Sequence, residues 1–423
     1  MFHFTALPPL SLYIHFPWCV RKCPYCDFNS HAVRGELPEE QYIDALLADL
    51  ETDLPRVWGR PVRSIFLGGG TPSLFSPEAI ERLLAGVRAR VVLVPEAEVT
   101  LEANPGTVET ERFRGYHAAG VNRLSIGIQS FQPEQLKKLG RIHGRDEALA
   151  AAQAARTAGF DNFNLDLMFG LPQQTIEEAL ADLRTALALQ PTHLSVYQLT
   201  LEPNTLFHAQ PPALPDEDVL AAMQEALQAE LADAGLAQYE VSAYARAGQE
   251  PKCREAQSPL RQQRRLDGSA RAATGRRCRH NLNYWQFGDY LGIGAGAHAK
   301  ITDAEGVTRL WKVKQPRDYL ETAGTPGVLG GELRLAREDV AFEFMLNALR
   351  LTEGFSPLLF AERTGLPLAV IEPALAQAAA RGLVEHTRES IRATPLGRRF
   401  LNDLSALFLP ESESPAPAGR HKH

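Results

Sequence analysis

Cysteine is scarce in this sequence: 423 residues carry five, with no even, spread-out set that would staple a secreted fold. No run of roughly 18 apolar residues occurs, so no transmembrane helix is expected. The opening residues "MFHFTALPPL" lack a basic segment followed by an apolar one, so no secretory signal is expected either. A basic excess is also missing. Lys and Arg total 44 against 51 Asp and Glu, a net charge of −7, which argues against an obligate nucleic-acid binder. What is present in quantity is apolar side chain, 44% of the residues, enough to bury a large domain and a smaller one. The expectation is a cytoplasmic protein, and in a reducing compartment clustered thiols serve metal or redox chemistry.

Three of the five cysteines fall within eight positions of "PWCVRKCPYCDF" (17–28), at Cys19, Cys23 and Cys26. Three thiols are too many for one disulfide and one too few for a closed zinc site. They can hold three irons of a [4Fe–4S] cube, leaving the fourth open to a small molecule bearing an amine and a carboxylate. The alternatives are zinc completed by His15 or His31, or plain buried thiols. Zinc ligands usually come as two close pairs, and no second pair is present.

From residue 11 to about 245, short β-rich runs alternate with helical stretches. Strands are expected at 11–16, 64–69, 98–103, 123–129, 162–169, 193–199 and 239–245. Helices are expected at 38–54, 77–90, 110–118, 145–158, 175–188 and 216–234. Ser76 before Pro77 reads as a helix start, and Gly120, Gly159 and Gly235 as helix stops. This alternation implies an α/β fold with a parallel sheet, a barrel or partial barrel whose ligands sit at the carboxyl ends of the strands. Residues 249–279 are polar, Arg-rich and non-periodic, and read as a disordered insertion, while 410–423 reads as a disordered tail. A mostly helical, winged-helix-like module is expected over 332–409, with 280–331 as a connecting segment and 1–10 as a flexible N-terminus.

The cysteine spacing and its companions resemble the radical S-adenosylmethionine (SAM) superfamily. More narrowly, they resemble the branch holding the oxygen-independent coproporphyrinogen III dehydrogenases and the HemW-type heme chaperones. The resemblance is carried by "LYIHFPWCVRKCPYCDF" (12–28), "FLGGGTPSLF" (66–75), "LEANPGTV" (101–108), "RLSIGIQSF" (123–131), "LGRIHGRD" (139–146), "NLDLMFGLPQQT" (164–175), "HLSVYQLTLEPNT" (193–205) and "RHNLNYWQFGDYLGIGAGAH" (279–298). It implies a partial (β/α)6-type, TIM-like barrel with a small helical C-terminal domain. It also implies a [4Fe–4S] cluster on Cys19, Cys23 and Cys26, and SAM contacts from Tyr13, Tyr25, Gly69, Gly70, Thr71, Glu102, Gln129, Arg141 and Asp166. Reduction of the cube by an external electron donor would then release a 5′-deoxyadenosyl radical from SAM.

Two functions remain on this resemblance. The dehydrogenases extend the cysteine motif with a further Cys two residues on, where this chain has Phe28, and they carry a longer segment before the motif than the 18 residues here. "HNLNYW" (280–285) instead resembles the H-N-x-x-Y-W signature of the heme chaperones. Alone, His280 reads as an ordinary loop histidine; the resemblance assigns it to heme, with Tyr284 and Trp285 against the porphyrin. Heme chaperone is therefore the expectation, with heme and a recipient hemoprotein as partners and no decarboxylation of coproporphyrinogen. A homodimer and peripheral membrane association through a recipient are compatible with it. A tRNA-modifying enzyme is disfavoured by the acidic charge. The insertion departs from the family pattern by separating Cys253 from Cys278, which keeps the run into His280.

Overall fold

The computed structural model describes residues 2–106, 110–246 and 276–410. The Arg-rich insertion expected at 249–279 lies outside the described residues up to 275, Cys253 included, and the expected tail lies outside them from residue 411.

Six strands form the parallel heart of the sheet. β1 is Leu10–Phe16, and two short strands follow, β2 (Trp18–Cys19) and β3 (His31–Ala32). β4 is Val62–Gly69, β5 Leu93–Ala103, β6 Arg123–Gln129, β7 Phe163–Phe169 and β8 His193–Gln198. They lie side by side in the order β1-β4-β5-β6-β7-β8, each parallel to its neighbour. β6, "RLSIGIQ", is buried along its whole length, as expected of a parallel strand covered on both faces. The intervening helices run Glu39–Asp53, Pro77–Arg90, Thr110–Ala119, Arg145–Thr157, Ile176–Ala188 and Glu217–Asp233. Their starts follow from capping chemistry, since the side chains of Ser76, Thr175 and Asp216 accept the backbone N–H three residues on. This is the partial (β/α)6 barrel, packed around one continuous apolar core.

The sheet does not stop at six strands; among the described residues it has twelve. The strand expected at 239–245 is instead an antiparallel pair, β9 (Leu236–Gln238) and β10 (Ala243–Arg246), that caps the β8 edge. The stretch read as a connecting segment holds two helices, Arg279–Trp285 and Pro316–Thr322, and four strands: β11 (Asp289–Ile293), β12 (His298–Asp303), β13 (Gly306–Lys312) and β14 (Leu329–Arg334). β11 pairs parallel with β1, and β12 to β14 continue antiparallel from it. Two buried lysines hide these strands from a hydrophobicity reading. Lys300 Nζ lies 2.8 Å from Asp289 Oδ1, and Lys312 Nζ lies 2.6 Å from Asp49 Oδ1 and 2.7 Å from Asp53 Oδ2.

Beyond β14 the chain is mostly helical, with Arg337–Ala348, Pro357–Thr364 and Glu372–Ala380 packed on a second apolar core. A small hairpin, β15 (Val384–His386) with β16 (Ile391–Ala393), completes it. Phe2 and Phe4 pack against this second core, and His3 N–H donates to Gly365 O.

Candidate cluster and SAM site, with an adjoining aromatic cavity

β1 delivers the chain at Phe16 into the cysteine loop, which is tied down on several sides. β2 pairs parallel with β3 across the base of the loop. The Trp18 ring meets Tyr42 edge-on with centroids 4.7 Å apart. Asn29 Nδ2 donates to Ala295 O and Lys314 O at 2.9 and 2.8 Å. Cys19, Cys23 and Cys26 are free thiols, each half-buried. Thr71 Oγ1 donates to Cys19 Sγ at 3.4 Å, and Arg141 Nη1 to Cys23 Sγ at 3.7 Å. Burial pushes the Cys19 and Cys26 thiols up from their ordinary value, so thiolates here need a cationic partner such as a cluster iron.

Among the described residues, the only trio of His, Cys, Asp or Glu donors all within 4.8 Å of one another is Glu98–Cys278–His280; the three loop thiols are not such a trio. A zinc ion with Zn–S bonds of about 2.3 Å holds its sulfurs closer than that. A cube that takes one thiolate per iron spaces them further apart.

The strand ends opposite the loop form a cradle. Gly69 (φ +105) and Gly70 close β4. A Cβ on Gly69 would come within 2.4 Å of the His15 ring, and one on Gly70 within 2.5 Å of Trp18 O, so the close approach of the chain's own β1 and loop atoms requires glycine at both positions. Gly69 N–H donates to Glu102 Oε2 at 3.1 Å. Burial, with the Asp166 charge beside it, raises the Glu102 carboxyl to about 8 against the opposing pull of Gly69 N–H. Asp166 accepts from Asn164 Nδ2 at 2.7 Å and Ser125 Oγ at 3.1 Å. Gln129 adopts φ +70 at the end of β6 and accepts from Tyr197 OH at 2.6 Å. Arg141 Nη2 donates to Asn104 Oδ1 and to Gly127 O, each at 2.6 Å.

All three thiols line one cavity of about 500 Å³, together with eight of the nine residues assigned to SAM. The ninth, Tyr13, lines the cavity next to it. Arg141 Nε and Trp285 Nε1, both belonging to residues on this wall, are buried without a hydrogen-bond partner. Thiols, carboxylates, a glycine cradle and unspent donors together suit a cluster and a zwitterionic nucleoside ligand.

The neighbouring cavity is larger, about 740 Å³, and shares Phe28, Gly69, Glu102 and Trp285 with the first. Phe66, Tyr284 and Phe287 add aromatic wall. His15 also lines it, but both of its nitrogens are engaged: Nδ1 with Tyr13 OH at 2.7 Å and Nε2 with Asn29 O at 2.9 Å. His298, at the start of β12, lines it too. Its side chain is exposed, and desolvation, then the Lys314 and Arg309 charges, lower its pKa from the ordinary histidine value.

The structure puts His280 elsewhere. It lines neither cavity. Its ring stacks on Phe66 with centroids 4.1 Å apart, and Nδ1 lies 2.9 Å from Cys278 Sγ and 3.3 Å from Glu98 Oε1. The reason is helix capping. Glu98 accepts Arg279 N–H at 3.0 Å and His280 N–H at 3.2 Å at the start of the helix Arg279–Trp285. Burial opposes a charge on Glu98, but His280, Arg123 and the Arg279 N–H outweigh it and hold the carboxyl at about 2. Tyr284 and Trp285, from the same motif, do reach the larger cavity, with the Arg350 guanidinium 4.2 Å above the Trp285 ring.

Sequence reasoning missed Asn104, Tyr197, His298 and Arg350. Asn104 was within reach, because it follows Glu102 by two residues at a strand end and donates to Thr71 Oγ1 at 2.8 Å. Arg350 carries no signal, since it enters from the second core.

Residues 13–186 match the Radical SAM superfamily and residues 335–400 the HemN C-terminal domain. The heme chaperone HemW of Escherichia coli (strain K12) is 50% identical over 408 residues, spanning 96% of this chain and all of that protein. The heme chaperone HemW of Bacillus subtilis (strain 168) is 33% identical over 95% of this chain and 99% of its own. Among solved structures, coproporphyrinogen III oxidase (HemN) from Escherichia coli, a radical SAM enzyme, superposes with a TM-score of 0.75. It is 26% identical and is covered over 90% of its length by 95% of this chain. Near-complete coverage at such identity places the chain in a family: it belongs to the radical SAM superfamily and, within it, to the HemW proteins.

Proposed function

We infer that this chain is a heme chaperone, which takes heme into the larger cavity and passes it to a recipient hemoprotein. Cys19, Cys23 and Cys26 hold a [4Fe–4S] cluster, and the Gly69–Glu102–Arg141 cradle holds SAM beside it. The observation that carries this reading is the shared wall: Trp285, Phe28, Gly69 and Glu102 border both the cluster cavity and the aromatic one. A flat, amphipathic macrocycle in the second cavity would therefore lie next to the cofactor pair. When bound, cluster and SAM supply one-electron chemistry, fed by an external electron donor.

The chain's own residues bind and exclude. Gly69 and Gly70 let backbone approach the ligand, the ionised form of Glu102 can accept an ammonium, and Trp285 and Phe28 screen the boundary between the cavities from water. Phe28 offers no thiolate where the dehydrogenases resembling this chain place a further cysteine. That substitution, with higher identity to the HemW proteins than to HemN, favours carriage over decarboxylation. A cytoplasmic, reducing compartment suits three free thiols.

The test is paired. After anaerobic cluster reconstitution, the chain should bind heme stoichiometrically, and with SAM and reductant it should leave coproporphyrinogen III intact. Robust decarboxylation would overturn the reading in favour of the dehydrogenase.

A further inference from the structure

We propose that His298 is the axial iron ligand of the heme cavity and that Lys22 and Lys314 receive the propionates. This rests on the reading that heme enters the larger cavity.

Three histidines come near enough to compete, and hydrogen bonding separates them. His15 spends one nitrogen on Tyr13 and the other on Asn29 O. His280 is turned onto Cys278 and Glu98 and lines neither of the two cavities. His298 lines the cavity, and among the described residues neither of its ring nitrogens has a hydrogen-bond partner. Its exposed ring lies beside Trp311 across the β12–β13 ladder, with centroids 6.5 Å apart. An imidazole on the cavity wall with a nitrogen free of protein partners is what a heme-iron ligand requires.

The cations of the cavity separate in the same way. Lys300 is consumed by Asp289, Phe287 O and Thr302, and Arg309 by Glu343 and the Tyr290 hydroxyl. Among the described residues Lys314 forms no ion pair, and Lys22 donates only to Phe28 O at 3.0 Å. Both are exposed and line the cavity, so they stand where the two carboxylates of a porphyrin would leave an aromatic slot for water.

The experiment is a titration of the reconstituted full chain with ferric heme, read by the Soret band and by electron paramagnetic resonance. His298→Ala should shift the spectrum away from histidine ligation and weaken binding roughly tenfold. Added imidazole should restore the spectrum. His280→Ala should keep the wild-type spectrum. A Lys22→Glu/Lys314→Glu variant should weaken heme but not heme dimethyl ester, whose propionates are masked. Asn347→Trp, which fills the cavity from the helix Arg337–Ala348, should block binding altogether. If Asn347→Trp blocks heme while His298→Ala keeps the wild-type spectrum and affinity, the ligand assignment is overturned and the cavity stands. If heme binds Asn347→Trp normally, heme lies elsewhere and both readings fall.

Discussion

Arg141 places Nη1 3.7 Å from Cys23 Sγ while its Nη2 donates to Asn104 Oδ1 and Gly127 O at 2.6 Å. One guanidinium therefore ties the cysteine loop to the ends of β5 and β6, with Nε left over and buried. The cluster loop and the cradle are thus a single electrostatic unit.

Serine in place of Cys19, Cys23 or Cys26 should abolish the cluster, seen as loss of iron and of its visible absorption. Arg141→Met should keep most of the iron yet weaken SAM binding roughly tenfold, because the anchor to the strand ends is lost rather than a ligand. Equal iron loss in Arg141→Met and in the serine variants would show that Arg141 holds the loop instead of the SAM side.

Glu102 makes the apo protein sensitive to alkali. Its carboxyl titrates near about 8 in the fold, raised by burial and Asp166, against an ordinary value of 4.5. Between those values the native state keeps a proton that the unfolded chain has lost, so stability falls as pH rises through that window and levels off above it. Glu102→Gln keeps an acceptor for Gly69 N–H and removes this loss. Its melting temperature should exceed wild type's by more at pH ~9 than at pH ~5, a gain on the order of 1–3 kcal/mol after solvent screening at the cavity wall. SAM binding at neutral pH should also release a proton, measurable by calorimetry in buffers of different ionisation enthalpy.

Lys312 fastens the added strands to the helix Glu39–Asp53 through two buried carboxylates, Asp49 and Asp53. Lys312→Met leaves them facing each other without a cation. Removing one side of a buried ion pair costs about 3–5 kcal/mol, so urea denaturation should show a loss of that order. A change under about 1 kcal/mol would mean that the strands are held by packing alone.

Trp285→Ala opens the wall between the cavities and releases Arg350 from its ring. Heme affinity should drop roughly tenfold, with iron and sulfide content unchanged.

The barrel was legible because its strands obey simple patterns. "RLSIGIQ" was expected at 123–129 and spans Arg123–Gln129, and Ser76 caps the helix that its spacing before Pro77 implied. The region 280–331 was not legible. Lys300 and Lys312 look like surface residues in sequence, yet each is buried against carboxylates, Asp289 on the neighbouring strand β11 in one case and the distant Asp49 with Asp53 in the other. The site divides along the same line. Strand-end residues such as Glu102 and Gln129 follow from topology, because a parallel sheet gathers its carboxyl ends; Asp166 instead lies at the middle of β7. His280 and His298 could not be ranked from sequence, because what separates them is Glu98, a residue 182 positions from His280 whose helix-capping role only the fold reveals.

The central claim is heme delivery, and transfer kinetics test it most directly. The reconstituted chain, loaded with one equivalent of heme, is mixed with a heme-free apo-hemoprotein, and formation of the holo spectrum is followed over time. The account expects saturable transfer whose rate rises with acceptor concentration and exceeds simple dissociation of heme into a passive scavenger. A rate independent of the acceptor and equal to passive dissociation would contradict it.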